Sequence, residues 1–174
     1  MATVELIAHT EVGSGGAASV EFTSIPSTYA HLMVMASVRS SRSSSYDGST
    51  TRFNSETSGN NQSGTVLLGY GGAPAGTQEA SANRVSYLFD SPAANAVANA
   101  FSASTVWWPH YANTSNYKVV LGGSSAVNTY LGTNDYEETV VAGQWRSTAA
   151  MSSIKIEVGV GTFVEYSTFT LYGI

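Results

Sequence analysis

Trp107-Trp108-Pro109-His110-Tyr111 places two indoles, an imidazole and a phenol within five residues. An exposed indole beside a phenol is a flat apolar platform on which proteins stack sugar rings or seat a partner subunit. In a strand, adjacent side chains face opposite sides, so only one of the two tryptophans enters a given core. The other is left for the surface, or for a loop or neighbouring subunit that covers it. Trp107, Trp108 and Tyr111 are therefore the candidate contact residues for a glycan or a protein partner.

Catalysis has less to work with. His9, His31 and His110 are far apart in sequence, without the short spacing of a metal pair on one strand or helix, and read as structural histidines. Asp135, Glu137 and Glu138 could offer oxygens to Ca²⁺, but they lack the alternation and the Gly of an EF-hand loop, so a solvated acidic turn is expected. A polysaccharide hydrolase would need two carboxylates about 5–9.5 Å apart, with Asp47, Asp90 and Glu165 as candidates. Neither lysine follows a glycine, which excludes a phosphate-binding P-loop, and there is no His-Glu-x-x-His and no Gly-x-Ser-x-Gly. Gly13-Ser14-Gly15-Gly16-Ala17-Ala18 matches the dinucleotide pattern in form. A strand follows it where that site requires a helix, so it reads as a hairpin turn. With no Cys, thiol catalysis and thiolate metal sites are excluded. No enzymatic activity, metal or cofactor is expected.

The elements that must position these residues have a hydrophobic period of two. Val20 and Phe22 flank Glu21, Leu32 to Val38 alternate, and so do Ile154, Ile156 and Val158. Further strand-like runs are Val4 to His9, Thr50 to Asn54, Thr65 to Tyr70, Arg84 to Phe89, Phe101 to Trp108, Tyr117 to Leu121, Thr139 to Trp145 and Phe163 to Tyr172. Turn chemistry separates them at Asp47-Gly48, Ser58-Gly59-Asn60-Asn61, Gly122-Gly123 and Gly132-Thr133-Asn134-Asp135. Pro92 to Ala100 is the best helical candidate, and its Asn content suits a loop equally well. About ten strands in one domain over residues 1–174 predict an all-β, jelly-roll-like antiparallel β-sandwich. From Ser40 to Gly64, 18 of 25 residues are Ser, Thr, Gly or Asn. That stretch is expected to be a long surface excursion broken by a short strand at Thr51-Arg52-Phe53; the alternative is an exposed loop that touches a partner.

Charged residues make up 11% of the 174-residue chain, against roughly 25% in an average soluble domain. The 26 Ser and 18 Thr must supply much of the polar surface instead. With seven Lys and Arg and a net charge of −5, the electrostatic attraction that drives nucleic-acid binding is largely missing. No apolar run approaches the roughly eighteen residues that would span a bilayer, so no membrane insertion is expected. The start has no basic segment leading into an apolar one.

Val20 to Tyr29 with its Ile25-Pro26 step, then Leu32, Val38-Arg39-Ser40 and Arg52-Phe53-Asn54, resembles a pattern of virion proteins of tailed bacteriophages. Gly143-Gln144-Trp145-Arg146-Ser147-Thr148 with Ile154-Lys155-Ile156 looks like the penultimate pair of strands of those proteins. Ser167 to Ile174 looks like their terminal strand. Ser55-Glu56-Thr57 departs from the Asp-Thr pair expected after Phe53-Asn54. The resemblance implies a jelly-roll domain on the virion, made in the host cytoplasm. Such a chain would be a capsid decoration protein bridging capsid subunits, or part of a tail or head fibre that recognises host surface glycans. Low surface charge favours self-association, since little charge repulsion opposes close packing; by analogy with viral jelly rolls the first expectation is a homotrimer, partnered by the major capsid protein or other virion proteins. A strand beginning at Val4 suits a free-standing subunit better than a fibre tip continuing from a shaft.

Overall fold

Where one face of a segment is apolar and the other polar, a strand can bury the first and wet the second. The computed structural model, which describes residues 3–57, 59–70, 73–126 and 137–174, places fourteen strands among them and no helix. They are β1 (Glu5–Glu11), β2 (Ser19–Phe22), β3 (His31–Ser37), β4 (Tyr46–Asp47), β5 (Ser49–Phe53), β6 (Gln62–Tyr70), β7 (Ala73–Ala82), β8 (Val85–Ser86), β9 (Ser91–Pro92), β10 (Ala103–Pro109), β11 (Lys118–Ala126), β12 (Glu137–Trp145), β13 (Ile154–Val158) and β14 (Thr168–Gly173). The large sheet runs β1-β14-β3-β10-β11-β12-β6-β7, the small one β2-β13-β5-β8, and β4 pairs with β9.

Eight of these strands make a jelly roll. β1, β14, β3 and β10 lie in one sheet and β2, β13, β5 and β8 in the other, so the chain passes between layers while its first strands pair with its last. β11, β12, β6 and β7 widen the large sheet. Val34, Val106, Phe169 and Leu171 from the large sheet and Val20, Phe22, Phe53, Ile154 and Ile156 from the small one fill a continuous core. The fold is an all-β antiparallel sandwich, as the period-two pattern predicts.

Several local expectations are corrected. Gly13 to Ala18 does turn, with Gly16 at φ +67°, but it carries the chain from β1 in one sheet to β2 in the other and closes no hairpin. Pro92 to Ala100 forms turns; the Arg39 guanidinium takes the carbonyls of Ala96, Val97 and Ala100 at 3.2, 2.7 and 2.9 Å and holds the segment as a loop. Of Arg84 to Phe89, only Val85 and Ser86 pair as strand, because Tyr87 turns at φ +69°. β7 escapes detection because Ala, Gly and Pro have low strand propensity; it is the edge strand, where Pro74 is tolerated. The Ser40 to Gly64 stretch is a surface excursion only in part. The strand expected at Thr51-Arg52-Phe53 is there, within β5, and the stretch also supplies β4 and the start of β6; Ser40, Asp47, Ser49, Thr51 and Phe53 are buried, while Ser41, Ser43, Ser55, Thr57 and Asn60 are exposed. Short hydroxyls fit there by bonding inward: Ser40 Oγ donates to Asp47 at 2.7 Å, and Ser49 Oγ accepts from the Phe89 N–H at 2.8 Å. The turn expected at Gly132 to Asp135 lies outside the described residues.

Candidate functional site

β10 alternates strictly, which sends Trp108 into the core at 0% exposure and leaves Trp107 outside at 38%. Trp108 packs against Phe53, with ring centroids 6.4 Å apart. Tyr111, just past the strand, is also fully buried, and its hydroxyl donates to the carbonyl of Pro26. Of the three candidate contact residues, the structure therefore leaves Trp107 alone at the surface; Trp108 and Tyr111 are core residues. The physical reason is the pleat for Trp108. For Tyr111 it is the turn at His110, φ +48°, which redirects the chain inward.

Antiparallel register sets Trp107 in a row across the outer face of the large sheet. Leu6 pairs with Tyr172, Tyr172 with Met33, Met33 with Trp107, Trp107 with Leu121, and Leu121 with Ala142. The next row holds Met35, Val140 and Leu67. Leu121, Val140 and Leu67 are 51%, 56% and 63% exposed, and Val119 is open beside them. Across the outward positions of β3, β10, β11, β12 and β6 there is one carboxylate, Glu138, and no Lys or Arg. A shallow groove of about 320 Å³ runs between Met35, Thr105, Thr170 and Tyr172. Isolated exposed apolar residues are ordinary, but a contiguous apolar band on a sheet marks a candidate contact surface.

Two of the three histidines meet at the rim of this face. The His31 ring lies edge-on to Trp107 at 5.5 Å and to His110 at 5.0 Å, and the His110 N–H donates to His31 Nδ1 at 3.3 Å. His9 stands apart, bonded to Thr170. No group of three His, Asp or Glu side chains among the described residues is placed to hold a metal.

Of the three carboxylates named for a hydrolase, two meet. Asp47 and Asp90 come together at the β4–β9 pair, whereas Glu165 is exposed on the connection into β14. Asp47 accepts from Ser40, from the Val160 N–H at 3.1 Å and from Arg42 at 3.3 Å. Asp90 accepts from the Ser49 N–H at 2.9 Å; burial first, and then the charges of Glu137 and Asp47, push its carboxyl well above the usual range. Glu137 is buried too, not part of a solvated turn, and burial lifts it to about 7. Asp135 lies outside the described residues.

The apolar face itself was not singled out from sequence, yet its signal is there. Val119-Val120-Leu121, Val140-Val141 and Val66-Leu67-Leu68 are runs and not alternations, as in strands covered on both sides. The chain matches no family model and no curated protein.

Proposed function

We propose that this chain is a structural protein of a tailed-bacteriophage virion, a capsid decoration subunit that works by packing against copies of itself and the shell beneath. The observation that carries the reading is the charge-poor apolar face around Trp107, Leu121 and Val140. The five charge-poor strands span four interstrand spacings of about 4.8 Å, and about seven residues at about 3.3 Å give a face of roughly 440 Å². A standard interface takes about 800 Å² per partner, so this face supplies about half of one and the flanking strands and loops the rest. The whole-chain resemblance to phage virion proteins supports the same reading, and a homotrimer is the first expectation. Binding to neighbouring capsid subunits would add its free energy to the stability of the shell. The alternative, a fibre domain that binds host glycans, retains one exposed indole, Trp107, of the platform it would need.

Light scattering at micromolar concentration tests self-association, and a monomer overturns it. Adding the protein to particles stripped of it, and separately to host cells, tests the location. Rebinding to particles supports decoration; adsorption to cells without rebinding transfers the function to the fibre reading.

A further inference from the structure

A second feature lies away from the apolar face, where β4, β5, β7 and β8 approach the end of β13. Arg42, Tyr46, Asp47, Glu79, Arg84 and Tyr87 line a cleft of about 300 Å³, within the size range of small-molecule sites. Its floor depends on one close approach: the Gly159 N–H donates to the Gly48 carbonyl at 2.7 Å, and a β-carbon on Gly159 would stand 2.8 Å from Asp47 Oδ1. Tyr87 adopts a left-handed backbone at φ +69°, with its ring against Gly48. Such strain in a non-glycine residue persists only where the surroundings enforce it, and it clusters at ligand clamps.

The two cations are each held by one edge. Arg42 reaches Asp47 at 3.3 Å, and Arg84 faces Glu79 and Ser86 through Nε at 3.6 and 3.4 Å. Among the described contacts the terminal nitrogens of Arg84 donate to nothing, and both arginine side chains are about two-fifths exposed. Two cations and two carboxylates leave the cleft without net charge. It therefore offers donors, acceptors and the phenol rings of Tyr46 and Tyr87 in one lining, with no field to select an anion. That combination matches a polyhydroxylated ring, whose vicinal hydroxyls donate to a carboxylate and accept from a guanidinium while its C–H face lies on an aromatic ring.

We propose that this cleft binds a neutral pyranose saccharide, independently of the assembly role proposed above. The test is NMR shift mapping of the backbone amides during titration with methyl glycosides of glucose, galactose, mannose and N-acetylglucosamine, with glucuronate as the charged comparison. At least one neutral glycoside is expected to shift the amides of Ser49, Tyr87 and Val160. Arg84→Ala should weaken that binding about tenfold, the worth of one charge-assisted hydrogen bond. Should the alanine variant not fold, Arg84→Lys, which keeps the charge and loses the fork, serves in its place. An oligosaccharide that binds more tightly than its monosaccharide assigns the cleft to a glycan chain, and equal affinity assigns it to a free sugar. No shift with any neutral glycoside, shifts confined to other regions, binding of glucuronate alone, or unchanged affinity in the Arg84 variant overturns the proposal.

Discussion

The ring of Tyr29 occupies the place that a β-carbon on Gly173 would need. One residue precedes β3 and the other ends β14, so the contact locks the two strands at the end where they pair. The N–H groups of Ala30 and His31 donate to the Ile174 carbonyl at 2.8 and 3.0 Å, and Tyr29 donates to Glu5 at 3.0 Å. Gly173→Ala is therefore expected to destabilise the fold by about 1–3 kcal/mol through overpacking. Urea unfolding checks this, and combining it with Tyr29→Ala should cost less than the two single changes added, because the clash disappears with the ring.

The two tryptophans should respond in opposite ways. Trp107→Ala, on the outer face, is expected to change monomer stability by no more than about 0.5 kcal/mol. Trp108→Ala opens a cavity in the core and should cost about 3–5 kcal/mol. Trp108→Phe should be far milder, since the lost volume is partly offset by removing a buried Nε1–H that has no acceptor among the described residues. Thermal unfolding of the three variants distinguishes these outcomes.

Leu121→Lys and Val140→Lys put a charge at the centre of the apolar face without touching the core. On the self-association proposed above, each should move the chain toward monomer in sedimentation velocity while leaving the unfolding of the isolated chain within about 0.5 kcal/mol. The dependence of Tm on protein concentration should vanish with it. Parent-like association in both variants would move the interface elsewhere.

Acid should stabilise this protein. Glu137 is lifted from 4.5 to about 7, and Asp90 also lies well above its usual range. Both carboxyls therefore hold protons in the folded chain at pH values where the unfolded chain has released them. Their contribution to stability is greatest below the unfolded values and falls as pH rises toward the folded value of about 7 for Glu137. Glu137→Gln removes that part of the slope and should exceed the parent at about pH 8 by up to about 3 kcal/mol, with no gain near pH 4. Urea unfolding at the two pH values measures it; equal slopes in variant and parent would show that Glu137 is not the titrating group.

Much of the fold was legible in local pattern. Alternation in Leu32 to Val38 and in Ile154 to Val158 marks strands with one buried face, and both are strands. The pleat rule separates Trp107 from Trp108, although it does not say which of them turns inward. Of the outer face, the runs in β11 and β12 were readable, but their meeting with Met33 and Tyr172 depends on pairings between residues more than sixty positions apart. The cleft was less legible still, because its arginines and tyrosines come from two distant segments, and Glu79 and Gly159 from two more.

What the sequence by itself determined is what a few neighbouring residues settle: an all-β chain, poor in charge, without the motifs of the common catalytic sites. Side-chain alternation is set by backbone geometry within a single strand, so it can be read without knowing the partner strand. The tertiary structure alone sets that Ser40, Ser49 and Thr51 of the Ser-rich stretch turn inward, that His31 meets His110, that Asp47 meets Asp90, and that the apolar outer residues of β3, β10, β11 and β12 form one surface. Each of those depends on which distant strands pair and in what register, and a one-residue shift in register would move every one of them to the opposite face.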